Sequence, residues 1–166
     1  MDTREVLDFI CRRRSVRRFQ KKAIPEDILT ALMKAAMAAP SGNNVQPWEF
    51  VVVRDTKIKE ELSHVHTWVY MLADAPAAVV VMGDKGSEWW ADDCAAATEN
   101  LLLAAANLGL GTVWCGIKEH DAKKVRKILG APDRLEVLCM IAVGYPAENP
   151  SPNTKYRKEK VHWDRY

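Results

Sequence analysis

The 166-residue sequence predicts a single domain, spanning residues 1–166, in which helices cover a β-sheet. Three observations support this fold: helical and strand patterns alternate along the chain, the length suits one domain, and 48% of the residues are hydrophobic. We expect no membrane span, because polar residues interrupt the longest apolar run. The charged amino terminus and four scattered cysteines without a CxxC pair predict a cytoplasmic protein with reduced thiols.

The helices and strands are assigned from the spacing of apolar residues. Pro25 and the two acids after it suit the first turn of a helix, and Ser87 suits an N-cap. The predicted helices cover residues 3–13, 25–39, 57–72, 87–109 and 121–129. The predicted strands cover residues 48–55, 77–83, 112–117 and 135–145.

The last segment, residues 146–166, has no core pattern, and its prolines forbid a long helix. It is either a frayed tail or an extended arm that lies on another surface. Val161, Trp163 and Tyr166 favour the arm, because a disordered tail needs no apolar anchors.

The stretch "RRRSVRRF", residues 12–19, holds five arginines in a chain with 24 basic and 22 acidic residues. A solvated helix end explains one or two of them. A nucleic-acid patch is weakened by the balanced total charge, and a kinase site at Ser15 is the weakest alternative. A helical turn would place Arg13, Arg14 and Arg17 on one face beside Ser15, which suits a phosphorylated small molecule.

Two further segments suit a ligand. The loop "PSGNNVQPW", residues 40–48, offers hydroxyl and amide groups to a planar heterocycle, and Gly42 permits close backbone approach. These groups belong to Ser41, Asn43, Asn44 and Gln46. In "GLGTVWCGI", residues 109–117, Gly109 ends a helix, and Trp114 and Cys115 alternate so that one faces the core and the other is free to meet a ligand.

Reactive side chains are not evident in the sequence. It holds no nucleophile elbow, acid dyad, P-loop, Rossmann glycine pattern or clustered metal ligands. This pattern is typical of an enzyme whose cofactor carries the difficult chemistry.

Taken together, "RRSVRRF", "AAPSGNNVQPWEFVVV", the helix leading into "LGLGTVWCGI", and "IAVGYPAENP…VHW" resemble the nitroreductase family of flavin mononucleotide (FMN) enzymes. The resemblance implies an α+β sandwich with a mixed or antiparallel central sheet. It also implies an intertwined homodimer that exchanges its C-terminal arms and holds FMN at the subunit interface.

Residue by residue, the resemblance implies that Arg13, Arg14, Ser15 and Arg17 hold the phosphate and ribityl or pyrimidine end of FMN. Loop residues reach the flavin, in many members from the other subunit, and a strand lies beside the ring. The loop set is Pro40, Ser41, Gly42, Asn43, Asn44 and Gln46, and the strand set is Trp114, Cys115 and Gly116. Lys155, or alternatively Arg157, matches a second phosphate-binding cation. Trp68, Tyr70 and Met71 either line the substrate side or belong to the core.

The implied activity is electron transfer from NADH or NADPH, by a ping-pong route, to a nitroaromatic, a quinone or a similar small molecule. Another flavin reaction on the same scaffold, such as reductive dehalogenation or flavin consumption, is the alternative. A non-catalytic flavin-binding or storage protein is a further one. We expect neither a nucleic acid nor a membrane as partner.

Overall fold

A computed structural model describes residues 3–151 and 155–166 of the chain. The helices are α1 (Thr3–Arg12), α2 (Glu26–Met37), α3 (Thr56–Ser63), α4 (Trp90–Asn107) and α5 (Glu119–Leu129). The strands are β1 (Trp48–Val53), β2 (Ala77–Asp84), β3 (Gly111–Gly116) and β4 (Leu135–Gly144). Short 3₁₀ helices occupy Gly42–Asn44, Thr67–Leu72 and Lys158–Lys160.

The strands form one sheet in the order β1-β2-β4-β3, and each neighbouring pair is antiparallel. Helices α2 and α4 pack on one face, while α3, Thr67–Leu72 and α5 pack on the other. Strand β2 is buried from Ala77 to Gly83, as expected for a strand covered on both faces. The predicted α+β sandwich is confirmed, and its sheet is antiparallel.

Two predicted helix boundaries are wrong. The helix predicted over 57–72 ends at Ser63, and the chain is extended at His66 before Thr67–Leu72 resumes as a 3₁₀ helix. Buried Leu62, Val65, Val69 and Leu72 keep helical spacing across this break, so periodicity could not reveal it. Ser87 does not cap α4, which begins at Trp90; its N–H donates instead to the carbonyl of Asp84, in the turn after β2 (2.9 Å).

The C-terminal segment has two parts. Residues 146–151 lie along the arginine segment, where Ala147 N–H donates to Arg18 O (2.9 Å). Residues 155–166 are exposed throughout, and their backbone hydrogen bonds join near neighbours in sequence. The predicted arm also includes residues 152–154, which lie outside the described residues, so the arm stays a prediction. No described helix has the length and apolar character to cross a membrane.

Candidate functional site

The arginine segment is extended rather than helical, which corrects the predicted helical turn. Helix α1 ends at Arg12, and Val16 N–H then donates to Thr112 O of edge strand β3 (2.8 Å). Val16 is buried against Gly111, where an added Cβ would lie 2.7 Å from the Val16 Cβ. Close packing on a glycine therefore holds the segment against the sheet.

Extended backbone sends alternate side chains to opposite sides, so the cluster divides. Arg13, Ser15 and Arg17 lie on one side, and Arg14, Val16 and Arg18 lie on the other. The Arg14 guanidinium donates to Cys11 O (2.7 Å) and Ser151 O (3.1 Å). Arg14 is thereby separated from the other predicted ligands.

The two arginines on the first side differ in their partners. Arg13 pairs with Glu99 of α4 (3.2 Å). No salt bridge joins Arg17 to another described residue, and its positive charge lies near enough to lower the pKa of the Cys115 thiol slightly against the effect of burial. Arg17 is therefore the cation beside β3 that is available to a ligand.

Glu148 positions the arginine segment and was missed from sequence. One carboxylate oxygen accepts from Arg17 N–H (2.6 Å) and Arg18 N–H (3.2 Å), and the other pairs with Arg18 Nε (3.2 Å). The Arg17 N–H, more than the Arg18 contacts, holds the pKa of Glu148 below its usual value. Glu148 lies in a proline-rich stretch without a recognisable pattern, so no local signal could have found it.

Strand β3 presents backbone groups at a free edge. Because Thr112 O points away from β4, the period of two places the N–H and C=O groups of Trp114 and Gly116 on the same outer edge. Trp68 Nε1 donates to Gly116 O (3.2 Å), and the space where a Gly116 Cβ would lie is open. Edge N–H groups with open space beside them suit a planar ligand.

The side chains around β3 divide between surface and core. Trp114 is exposed, whereas Cys115 is 3% exposed and its Sγ lies 3.6 Å from the Met71 Sδ. Burial raises the pKa of the Cys115 thiol to about 11, so the thiol stays neutral. Met71 belongs to the core, which corrects its proposed place on the substrate side. Trp68 and Tyr70 are exposed.

Trp68 is held by three neighbours. His66 stacks on its ring at a centroid distance of 3.1 Å, and the Lys118 ammonium lies 5.1 Å from its centroid. The hydrogen bond to Gly116 fixes the indole in its plane. Trp68 is therefore a rigid wall at the end of β3.

The amide loop, residues 40–47, has a strained backbone. Asn43, Asn44 and Gln46 have φ of 50°, 57° and 53°, a left-handed conformation that costs free energy in residues other than glycine. Gln46 N–H donates to Ser41 Oγ (3.0 Å), and Gln46 Nε2 donates to Asn44 Oδ1 (2.9 Å). Such strain is concentrated at functional sites, and here it keeps several amide groups exposed.

Helix α4 anchors this loop through two residues that sequence reasoning missed. Asp93 Oδ1 accepts from Gly42 N–H (3.0 Å). A Cβ added at Gly42 would lie 2.7 Å from Trp89 Cδ1, so the Trp89 ring packs directly on the glycine. The contacts span more than 45 residues of sequence, and no local pattern encodes them.

The arginine segment and the amide loop lie at opposite corners of the sheet. Thr112 pairs through Val143 with Ala77 at one end of β2, while Trp48 pairs with Gly83 at the other. Six residues along β2 and three strand spacings separate them, which corresponds to about 25 Å. One chain therefore cannot place both segments on the same ring.

Each corner has its own cleft. A cleft of about 420 Å³ beside the arginine segment is lined by Arg12, Arg13, Arg14 and Thr112 among others. A second of about 650 Å³ lies beside the amide loop. Among the described residues, no group of His, Cys, Asp and Glu could hold a metal ion.

Comparison with known proteins agrees with this geometry. The model of the nitroreductase family matches residues 10–68 and 61–145. A protein of Archaeoglobus fulgidus, provisionally named NADH dehydrogenase/NAD(P)H nitroreductase, is 38% identical over 98% of this chain and 99% of its own length. The structure of an FMN-dependent nitroreductase from Clostridium difficile is 30% identical, with a TM-score of 0.92 over 96% of this chain and 99% of that chain. An iodotyrosine deiodinase of Thermotoga neapolitana is 31% identical over 93% of this chain and 94% of its own length.

Proposed function

The chain belongs to the nitroreductase family, and we propose that it transfers electrons from NAD(P)H to a small aromatic acceptor at a site formed by two copies of the chain. It is an oxidoreductase with FMN as its cofactor. FMN supplies a ring that takes up a hydride and passes on two electrons. With a quinone as acceptor, NAD(P)H, one proton and the quinone give NAD(P)⁺ and the hydroquinone.

The distance between the two corners carries the two-copy proposal. The arginine segment and the amide loop both offer ligand groups, yet about 25 Å separates them within one chain. A second copy supplies the missing half of each site, as in symmetric dimers whose interfaces repeat one patch on both subunits.

The residues present fit FMN. Arg13, Ser15 and Arg17 lie on one side of an extended segment and offer guanidinium forks and a hydroxyl to a phosphate and a polar ring edge. We assign Arg17 to the pyrimidine end, where it favours the anionic reduced ring. Backbone N–H groups of Trp114 or Gly116, or of the amide loop, hydrogen-bond the reactive ring edge.

Further cations and walls complete the proposed site. Lys155 and Arg157 lie in the exposed tail, where they can add positive charge near a phosphate if the tail lies as an arm across the partner. Trp68 and Tyr70 are the exposed residues for the substrate side. We also propose a cytoplasmic location, since all four cysteines are free thiols.

The test is an absorption spectrum followed by turnover. Purified protein, reconstituted with FMN where necessary, is expected to show flavin bands and to oxidise NADH or NADPH in the presence of quinones or nitroaromatics. A protein that stays colourless after reconstitution overturns the proposal. Bound FMN without any NAD(P)H oxidation favours the flavin-storage alternative.

Reductive dehalogenation is the second candidate, and the deiodinase relative favours it. In that reaction a hydride equivalent from NAD(P)H replaces the halogen of an aryl halide, which leaves as a halide ion. Halide release that matches NAD(P)H oxidation one for one would establish it. Nitroaromatic or quinone turnover without halide release would exclude it as the main activity.

A further inference from the structure

The cleft beside the amide loop has an aromatic wall. Trp89 is 50% exposed although its ring packs directly on Gly42. Asp93, in the first turn of α4, accepts the Gly42 N–H at 3.0 Å, so loop and tryptophan are joined twice. A large aromatic side chain that is both fixed and half open to solvent is an expensive arrangement, and it offers a flat surface for stacking.

The charge of this cleft is negative, in contrast to the arginine segment. Its charged lining residues are Glu49, Asp84, Glu88 and Arg134. Arg134 is already engaged by Glu49 and by Asp84 (3.1 Å), whereas no salt bridge joins Glu88 to another described residue. The Gly86 N–H, and then Arg134, hold the pKa of Asp84 below its usual value, so its charge persists at neutral pH.

The cleft also offers neutral hydrogen-bonding groups. Asn43 and Gln46 line it, and both side chains are exposed. Amide N–H groups suit quinone carbonyl and nitro oxygens, which accept hydrogen bonds without carrying full charge. The combination of aromatic face, amides and surplus carboxylate suits a planar aromatic molecule that is neutral or cationic, and it disfavours an anion.

We infer that this cleft is the acceptor subsite, that Trp89 is its stacking residue, and that Glu88 makes it prefer neutral or cationic aromatic acceptors over anionic ones. The inference rests on the proposed function, because the loop bordering the cleft is the one proposed to reach the flavin of the partner. It goes further in naming the class of acceptor and the two residues that select it.

Binding without turnover gives the first test. Titration of the FMN-loaded protein with a naphthalene carrying a trimethylammonium group is expected to give tighter binding than with one carrying a sulfonate. Trp89→Ala is expected to weaken binding of the cationic ligand about tenfold, and Trp89→Phe to restore most of it. Equal binding of the two ligands by the unaltered protein, or no effect of Trp89→Ala, would overturn the inference.

Steady-state kinetics gives the second test. With matched cationic and anionic naphthoquinones, Trp89→Ala is expected to lower kcat/KM for both acceptors about tenfold while kcat/KM for NAD(P)H and the Kd for FMN stay unchanged. Glu88→Lys is expected to shift the cation-to-anion ratio of kcat/KM at least fivefold toward the anion. Glu60→Lys, on α3 at the opposite face of the sheet, is the matched control and is expected to leave the ratio unchanged.

The outcomes separate this inference from the proposed function. If the unaltered protein binds FMN but does not oxidise NAD(P)H, the proposed function fails while the binding test still decides the subsite. If it turns over normally and Trp89→Ala changes only FMN affinity or the donor step, the inference fails and the proposed function stands.

Discussion

The arginine segment and the amide loop are both built for ligands, but by opposite means. The arginine segment has regular extended backbone, buried Val16 as an anchor, and positive side chains supported by Glu148. The amide loop has three left-handed residues that are not glycine, an aromatic neighbour and surplus negative charge. The first is suited to hold an anionic group permanently, and the second is suited to exchange neutral or cationic molecules. The two halves of a two-substrate reaction are thus separated by charge.

The strongest test of this comparison mixes two variants. Arg17→Ala damages one corner and Gly42→Val the other, so each variant alone is expected to lose nearly all activity at limiting FMN. Mixed dimers hold one site with both corners intact, because each site takes one corner from each chain. Co-refolded mixtures are expected to recover about a quarter of the unaltered activity. No recovery, with mixed dimers shown to form, would mean that one chain supplies both corners.

Arg17→Ala is also expected to have a large effect alone. Loss of one charge-assisted hydrogen bond of about 1.5–3 kcal/mol weakens FMN binding roughly 10- to 100-fold. Arg18→Ala is the matched control, because Arg18 lies on the other side of the segment and pairs with Glu148. Fluorescence titration of FMN measures both, and equal losses would contradict the division of the cluster.

Two glycines of β3 give a smaller effect and a paired comparison. Gly111→Ala places a Cβ within 3 Å of three Val16 atoms, so we expect a loss of about 1–3 kcal/mol in the free energy of unfolding. Gly116→Ala meets nothing within 4 Å and is expected to be nearly neutral for the stability of the apoprotein. Urea denaturation of both apoproteins compares them. A large loss for Gly116→Ala would place it in a contact that the fold does not show.

The smallest effect concerns Glu148 and pH. Because its folded pKa is lowered, its stabilisation is present above the ordinary carboxyl pKa and is lost as pH falls through the lowered value. FMN affinity of the unaltered protein is therefore expected to fall progressively below about pH 4.5. Glu148→Gln is expected to weaken FMN binding roughly fivefold at neutral pH and to flatten this acid limb. An unchanged acid limb in Glu148→Gln would assign it to another group.

The sequence alone determined the sandwich, its strands and the segments that carry ligand groups. All four strands lie within two residues of their predicted bounds, because runs of β-branched residues are a local signal. Gly109 ends α4 with φ of 72°, as its position after the helical pattern predicted. The motifs also identified the family, which the comparisons confirm.

Only the tertiary structure decided how those segments are arranged. Strand pairing with Thr112 made the arginines extended and separated Arg14 from Arg13 and Arg17, where periodicity favoured a helical turn. Packing of the alternate side chains turned Cys115 and Met71 into the core. The roles of Glu148, Asp93 and Trp89 depend on partners far away in sequence. Local patterns encode the period of a backbone, whereas such contacts form only when the sheet sets its strand order. The physical reason is that this order places the two ligand segments at opposite corners, and no stretch of sequence records that distance.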